Sequence, residues 1–162
     1  MCCQMRHGEG NLLMFKLVTH PLDPNHLQEG WAVKTAGGFC TFSGSVREQN
    51  ENRKVLALEY EAFHKLCESE GQKILQETCQ KFSIIDARCF HRVGQLQVGE
   101  MAVWIGVAAA HRDAAFQACR YIIDEIKHRL PIWKKEFYAD GDSGWINTGD
   151  QPPVISGLKD NS

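Results

Sequence analysis

The chain has 162 residues, 43% apolar and 23% charged, with 18 basic and 20 acidic side chains and a formal charge of -2. That length suits one compact domain burying roughly 70% of its unfolded surface, and the composition excludes whole-chain disorder. The slight acidity argues against general binding to nucleic acid or a membrane surface.

Residues 1–11 read as a flexible N-terminus, 12–148 as the folded domain and 149–162 as a loose tail. The first strand is Leu12 to Val18. Asp23-Pro24 starts a helix, with Asp as N-cap and Pro in the first turn, running to about Ala32. After Gly37-Gly38 the pattern predicts a strand over Phe39 to Val46, then a polar, flexible Arg47 to Lys54. Val55 to Ala62 is the next strand. From Phe63 to Phe82 the spacing turns helical, with Leu66, Ile74, Leu75 and Cys79 on one side. Ile84 to His91 is strand-like and Gly94 to Gly99 a turn region. Met101 to Ala109 is the most apolar strand and is expected to be central. A helix follows over His111 to Arg129, with Ala115, Ala118, Cys119, Ile122, Ile123 and Ile126 on its buried stripe, and Pro131 stops it. Trp133 to Tyr138 and Trp145 to Asn147 pair as a hairpin around residues 140–144. The fold class is α+β.

No membrane span is expected, since the apolar run Ala102 to Ala110 has nine residues against the roughly 20 needed. The first ten residues lack the apolar core of a signal peptide. Seven cysteines stand at 2, 3, 40, 67, 79, 89 and 119, without the two-residue gap of a zinc or redox motif. They read as reduced thiols in a cytoplasmic protein, and no metal site is expected. His20, His26, His64 and His91 lack ligand spacing and read as surface or capping residues.

Cations sit at element boundaries. Arg47 follows a strand, where a solvated loop arginine is the plain alternative. His111-Arg112 opens a long helix, where cations are unfavourable unless an anion is near, so the pair points to an anion site. Lys127 lies in the last turn of that helix, where the dipole alone explains a cation. With Arg129, Lys134 and Lys135 it also makes four cations in nine residues, a minor nucleic-acid patch at most. A lysine among like charges gives up its proton more readily, which suits acid–base work. Arg112 and Lys127 are fifteen residues apart on one predicted helix, hence about 22 Å. A small ligand touching both therefore requires two copies of the chain.

The segments His20-Pro-Leu-Asp-Pro-Asn25, Phe42-Ser-Gly-Ser-Val-Arg47, Arg53 to Ala62, His91-Arg-Val-Gly94, Leu96 to Glu100, Ala110-His-Arg112 and Pro131-Ile-Trp-Lys-Lys-Glu136 occur in the order seen in one family. Over roughly residues 12 to 146 the chain resembles the catalytic, large subunit of molybdopterin synthase. Asn52 stands where many members carry Gly, and asparagine tolerates the left-handed backbone of a tight turn.

The resemblance implies an α/β-hammerhead type of α+β fold with an added small antiparallel subdomain. It implies a homodimer that binds one small ubiquitin-like sulfur-carrier subunit at each end, forming a heterotetramer. The carrier's C-terminal Gly-Gly thiocarboxylate threads into the pocket, and two sulfurs pass to cyclic pyranopterin monophosphate to make the dithiolene of molybdopterin. No cofactor, nucleic acid or membrane is implied. Carried onto this chain, Lys127 and Lys134 are the catalytic lysines. Substrate-binding residues are Ser45, Val46, Arg47, Lys127, Lys134, Lys135 and Glu136, with His111 and Arg112 reaching in from the second copy. The alternatives are a non-catalytic dimeric module for an anionic metabolite or partner tail, and a cysteine-persulfide sulfurtransferase.

Overall fold

The computed structural model describes residues 13–31 and 34–150. The expected flexible N-terminus and almost all of the expected tail lie outside the described residues. Strand β1 is Met14–Val18, followed by helix α1, Pro24–Gln28. Asp23 caps α1, its Oδ1 accepting the Asn25 N–H at 3.0 Å. The helix stops at Gln28, short of the expected Ala32, because Glu29 turns extended and Gly30 takes a φ of 70°. Ala32 itself lies outside the described residues.

Strand β2 is Gly38–Ser45. The segment read as flexible is instead a hairpin: β3, Gln49–Asn50, pairs with the start of β4, Arg53–Ala62. Glu51 and Asn52 turn it with φ of 49° and 61°, the two positive values that suit a two-residue hairpin loop. Helix α2 is His64–Lys81, with Cys67, Gly71, Ile74, Leu75, Thr78 and Cys79 buried. Leu66 is 57% exposed, contrary to expectation, because it lies about a third of a turn off the stripe that starts at Cys67.

Strand β5, Ile84–Arg92, leads into β6, Gly94–Gln97, which pairs with β4 where a plain turn was expected. Strand β7, Met101–Ala109, lies between β5 and β2 and is buried from Ala102 to Ala109, as its apolar run predicts. Helix α3 is Arg112–Arg129, with Ile123 half-buried. Strand β8, Ile132–Tyr138, pairs with β9, Gly141–Asp142, and then with β10, Ile146–Asn147. The expected hairpin is therefore present, broken at residues 143–145 by a one-residue register shift with Gly144 at φ 68°.

Two sheets result. One has the order β1-β5-β7-β2, with β1 and β5 parallel and the remaining pairs antiparallel. Helices α2 and α3 cover one face of it, packing Ile74, Leu75, Ala118 and Ile122 against Ala87, Cys89, Ile105 and Val107. On its other face Trp104 packs with Leu22 and Leu27. The second sheet, β10-β8-β4-β3 with β6 and β9 attached, is the added antiparallel unit, with its own core of Val46, Val55, Leu58, Leu96 and Tyr138. Val46 locks the junction, exchanging backbone hydrogen bonds with Glu100 and Gly99 at 2.9 and 2.8 Å. Among the described residues no helix is long and apolar enough to cross a membrane.

Candidate functional site

Strand alternation places Leu58 and Tyr60 of β4 on the same face as Glu136 and Lys134, their partners on β8. Tyr60 then reaches a cavity of about 150 Å³ where both sheets meet the C-terminal end of α3. Ser45 and Gly44 come from the end of β2, His91 from β5, Val103 from β7, and Ile126 and Lys127 from α3. Thr148 closes the wall beyond β10, its hydroxyl donating to the Ile132 carbonyl at 3.2 Å. The next residue, Gly149, lies so near the end of α3 that a Cβ there would stand 2.8 Å from the Lys127 carbonyl oxygen.

His91 is 7% exposed, not on the surface as its lack of ligand spacing suggested. Its Nδ1 donates to the Arg92 carbonyl at 2.9 Å, and its ring meets Tyr60 edge to face at 5.1 Å. Burial pushes the imidazole down to about 4, so the ring is neutral near pH 7. Burial, with help from the Glu136 charge, pushes the Tyr60 phenol up to about 12 and keeps its proton on. His20, His26 and His64 are exposed, as expected.

A polar chain runs beside the cavity. Glu136 is buried, and Lys134 Nζ lies 3.3 Å from its Oε1, with only 13% of the lysine side chain exposed. Asn50 Nδ2 donates to Glu136 Oε2 at 2.7 Å, and the Tyr138 hydroxyl donates to the same oxygen. Burial alone would raise the Glu136 carboxyl. The hydrogen bonds from Tyr138 and Asn50 and the Lys134 charge outweigh it and hold the group below the usual carboxylate range. Arg47, exposed beyond β2, joins by donating to Asn50 Oδ1 at 3.4 Å. Glu136 is thus an anchor that aims Lys134, while Val46 is buried in the neighbouring core.

The described structure separates the other named residues. Lys135 points to the opposite face of β8, its ammonium 4.9 Å from the centre of the Trp145 ring. His111 and Arg112 are exposed at the N-terminal end of α3, where His111 makes no capping hydrogen bond through its side chain. Lys127 lies fifteen residues further along the same continuous helix, about 22 Å away. Gly38, at the start of β2, packs on the Arg112 backbone, whereas Ser45, at its end, borders the Lys127 cavity. The two cationic groups therefore sit at opposite ends of one edge strand, β2. Nor do the four cations of 127–135 form one patch. Arg129 is held by Glu70 and Glu77 of α2 and by Glu125, Lys134 pairs with Glu136, and Lys135 faces elsewhere.

Thiol chemistry finds no support at Cys67, Cys89 and Cys119. Burial pushes the Cys67 thiol up to about 11, and Cys119, beside Cys40, up to about 12. Cys89 is raised as well, so none of these three carries the thiolate a persulfide carrier uses. Cys2 and Cys3 lie outside the described residues.

Sequence reasoning missed Tyr60, Asn50 and Tyr138 as parts of this site and misplaced His91. The signal available was period two along β4 and β8, which puts Tyr60, Lys134, Glu136 and Tyr138 on one face once the register is known.

The family model described as MoaE protein matches residues 17–129. The molybdopterin synthase catalytic subunit of Pyrococcus abyssi is 40% identical over 141 residues, covering 85% of this chain and 94% of that one. A crystal structure of molybdopterin synthase from Staphylococcus aureus superposes with a TM-score of 0.76 at 34% identity, over 82% of this chain and 96% of that one. A chain in a complex of subunits 1 and 2 of molybdopterin-converting factor from Helicobacter pylori shares the fold, with a TM-score of 0.66 at 23% identity over 79% and 87% of the two chains. With its α+β fold and this likeness, the chain belongs to the MoaE protein family, the sulfur-transferring catalytic subunits of molybdopterin synthase.

Proposed function

We propose that the chain transfers sulfur from the thiocarboxylated C-terminus of a small ubiquitin-like carrier to cyclic pyranopterin monophosphate, working in the cytoplasm as a homodimer that binds one carrier at each end. The observation that carries this reading is the cavity at the end of α3, where Lys127 lines a small chamber and Lys134, held by Glu136, lies opposite the cavity residue Tyr60 on the paired strand. A thiocarboxylate is already an anionic nucleophile, so the site needs positive surroundings and a proton exchanger, not a cysteine. The two-subunit Helicobacter pylori complex, which shares this fold, is consistent with a small partner.

Strand β2 supports a second copy. It is an edge strand of eight residues, with Phe39 and Phe42 exposed along it. Antiparallel pairing of two such edges about a twofold axis sets the Arg112 end of one copy beside the Lys127 end of the other. Arg47 of one copy, with His111 and Arg112 of the second, then holds the substrate phosphate by charge-assisted hydrogen bonds. Ser45 lines the approach, and Lys135 stays at the rim. Each transfer forms a C–S bond at a pterin side-chain carbon as a C–O bond there breaks, its oxygen leaving with the opened phosphate or as water. Hydrolysis then breaks the carrier's acyl C–S bond, water supplying the oxygen that leaves the carrier as a carboxylate. Lys127 exchanges the proton beside the acyl carbon, and Lys134 polarises the acyl oxygen.

The test is single-turnover sulfur transfer from thiocarboxylated carrier to cyclic pyranopterin monophosphate, scored as dithiolene formed. Lys127→Ala is expected to fall by about 10²–10⁴-fold, the range of a lost general acid–base group. A Lys127→Ala protein that binds both ligands and turns over at the wild-type rate refutes the assignment. If wild type itself forms no dithiolene while binding both ligands, the non-catalytic module is the better reading.

A further inference from the structure

His91 is the buried titratable group of the cavity that the proposed chemistry leaves unused. The Arg92 carbonyl can only accept, so the 2.9 Å contact puts the ring proton on Nδ1. In the neutral ring Nε2 then carries a lone pair and no proton. Among the described residues no donor bonds Nε2, and the ring lines the cavity. A neutral acceptor facing a confined space attracts an N–H or O–H donor and repels an anion, so a thiocarboxylate or phosphate is turned away from His91 and towards Lys127.

The size of the chamber narrows the donor. About 150 Å³ is half of the roughly 300 Å³ at which pockets begin to enclose a drug-sized ligand, so the chamber suits a slender chain end better than a pterin with its phosphate. An unbranched peptide end is such a chain, and it offers amide N–H groups. The walls supplied by Val103 and Ile126 are apolar, and Ser45, Tyr60, His91 and Thr148 are the polar groups that share the lining with Lys127.

We propose that His91 is a positioning residue for the carrier: its Nε2 accepts a hydrogen bond from an amide N–H of the Gly-Gly terminus, setting the terminal thiocarboxylate against Lys127. This rests on the carrier-threading reading above. It assigns the cavity to the peptide terminus and leaves the pterin to the arginine-lined surface outside.

The test is calorimetric binding of the small carrier, intact or lacking its last two glycines, to four forms of the protein. Wild type is expected to bind the intact carrier more tightly than the truncated one. His91→Asn keeps a group at the Nδ1 position and removes the Nε2 acceptor. It is expected to lose about three- to tenfold affinity for intact carrier, the worth of one hydrogen bond, and nothing for truncated carrier. His91→Gln, whose Oε1 reaches the Nε2 position, is expected to recover most of that loss. His91→Phe fills the ring volume without an acceptor and is expected to match His91→Asn, which covers the case where the smaller side chain fails to fold. Equal weakening of both carriers by these variants, or no weakening of either, overturns the role of His91. Equal affinity of wild type for both carriers overturns the threading reading instead.

Discussion

Asp86 and His91 lie on the same strand, both buried, and their titrations oppose each other. Asp86 is fully buried, and neither carboxylate oxygen has a hydrogen-bond partner within bonding distance. Burial pushes it up to about 6, with partial relief from Arg88 at 4.0 Å and from the Ala87 amide and the Trp31 indole. Between pH 6 and 4 the folded chain binds more protons at Asp86 than the unfolded chain, so this group favours folding as pH falls. His91, held down to about 4, does the reverse: the unfolded chain binds its proton from about 6.5 downwards, and stability is lost on acidification. Each shift of about two units corresponds to about 3 kcal/mol, so over this window the two largely cancel. Asp86→Asn removes one side of the balance. Urea unfolding should find it more stable than wild type by about 1–3 kcal/mol at pH 7. That advantage should vanish by pH 4, giving the variant the steeper loss on acidification. A variant less stable than wild type at pH 7 would show that the Asp86 charge is satisfied after all.

At the scale of elements, α2 and β1 approach closely at Gly71. A Cβ on Gly71 would stand 2.4 Å from the Phe15 ring, itself buried in the main core. Alanine is the better helix former by about 1 kcal/mol. Overpacking a closed core costs about 1–3 kcal/mol, and here the contact is at the fixed base of the ring. Gly71→Ala is therefore expected to lower stability by about 1–2 kcal/mol in urea unfolding, and Phe15→Leu in the same chain to restore part of it. A simple gain in stability would mean that β1 yields easily. The period of α2 was readable, since Ile74, Leu75 and Cys79 are where the spacing puts them, but Leu66 was not. A short apolar list fits more than one stripe, and only the sheet beneath selects between them. The β3–β4 hairpin shows a different limit. Its residues are polar throughout, so no periodicity marks it, and the Asn50 that it carries to Glu136 looks like any loop asparagine.

At the scale of the whole molecule, the separation of Arg112 and Lys127 along α3 makes a site in trans testable. Co-expressed Arg112→Ala and Lys127→Ala chains form hybrids in which one of the two sites draws both intact residues from opposite copies. Random pairing then leaves about a quarter of wild-type dithiolene formation, although either variant alone is nearly inactive. Activity no higher than that of the single variants would mean that each site is built within one chain.

Much was determined by the sequence by itself. The buried run of β7, the limits of α2 and α3 and the fifteen-residue interval between the two cationic ends all follow from local pattern and helical rise. The segments from His20 to Glu136 carry the family likeness in the same one-dimensional form. Tertiary structure alone decided that His91 is buried beside Tyr60, that Glu136 is an anchor for Lys134, and that Lys135 faces away from it. The reason is that spacing specifies which side chains share a face, whereas burial and charge balance depend on what another part of the chain lays over that face. Arg129 makes the point at a single residue: next in the sequence to cationic neighbours, it is neutralised in the fold by carboxylates from α2, more than fifty residues away.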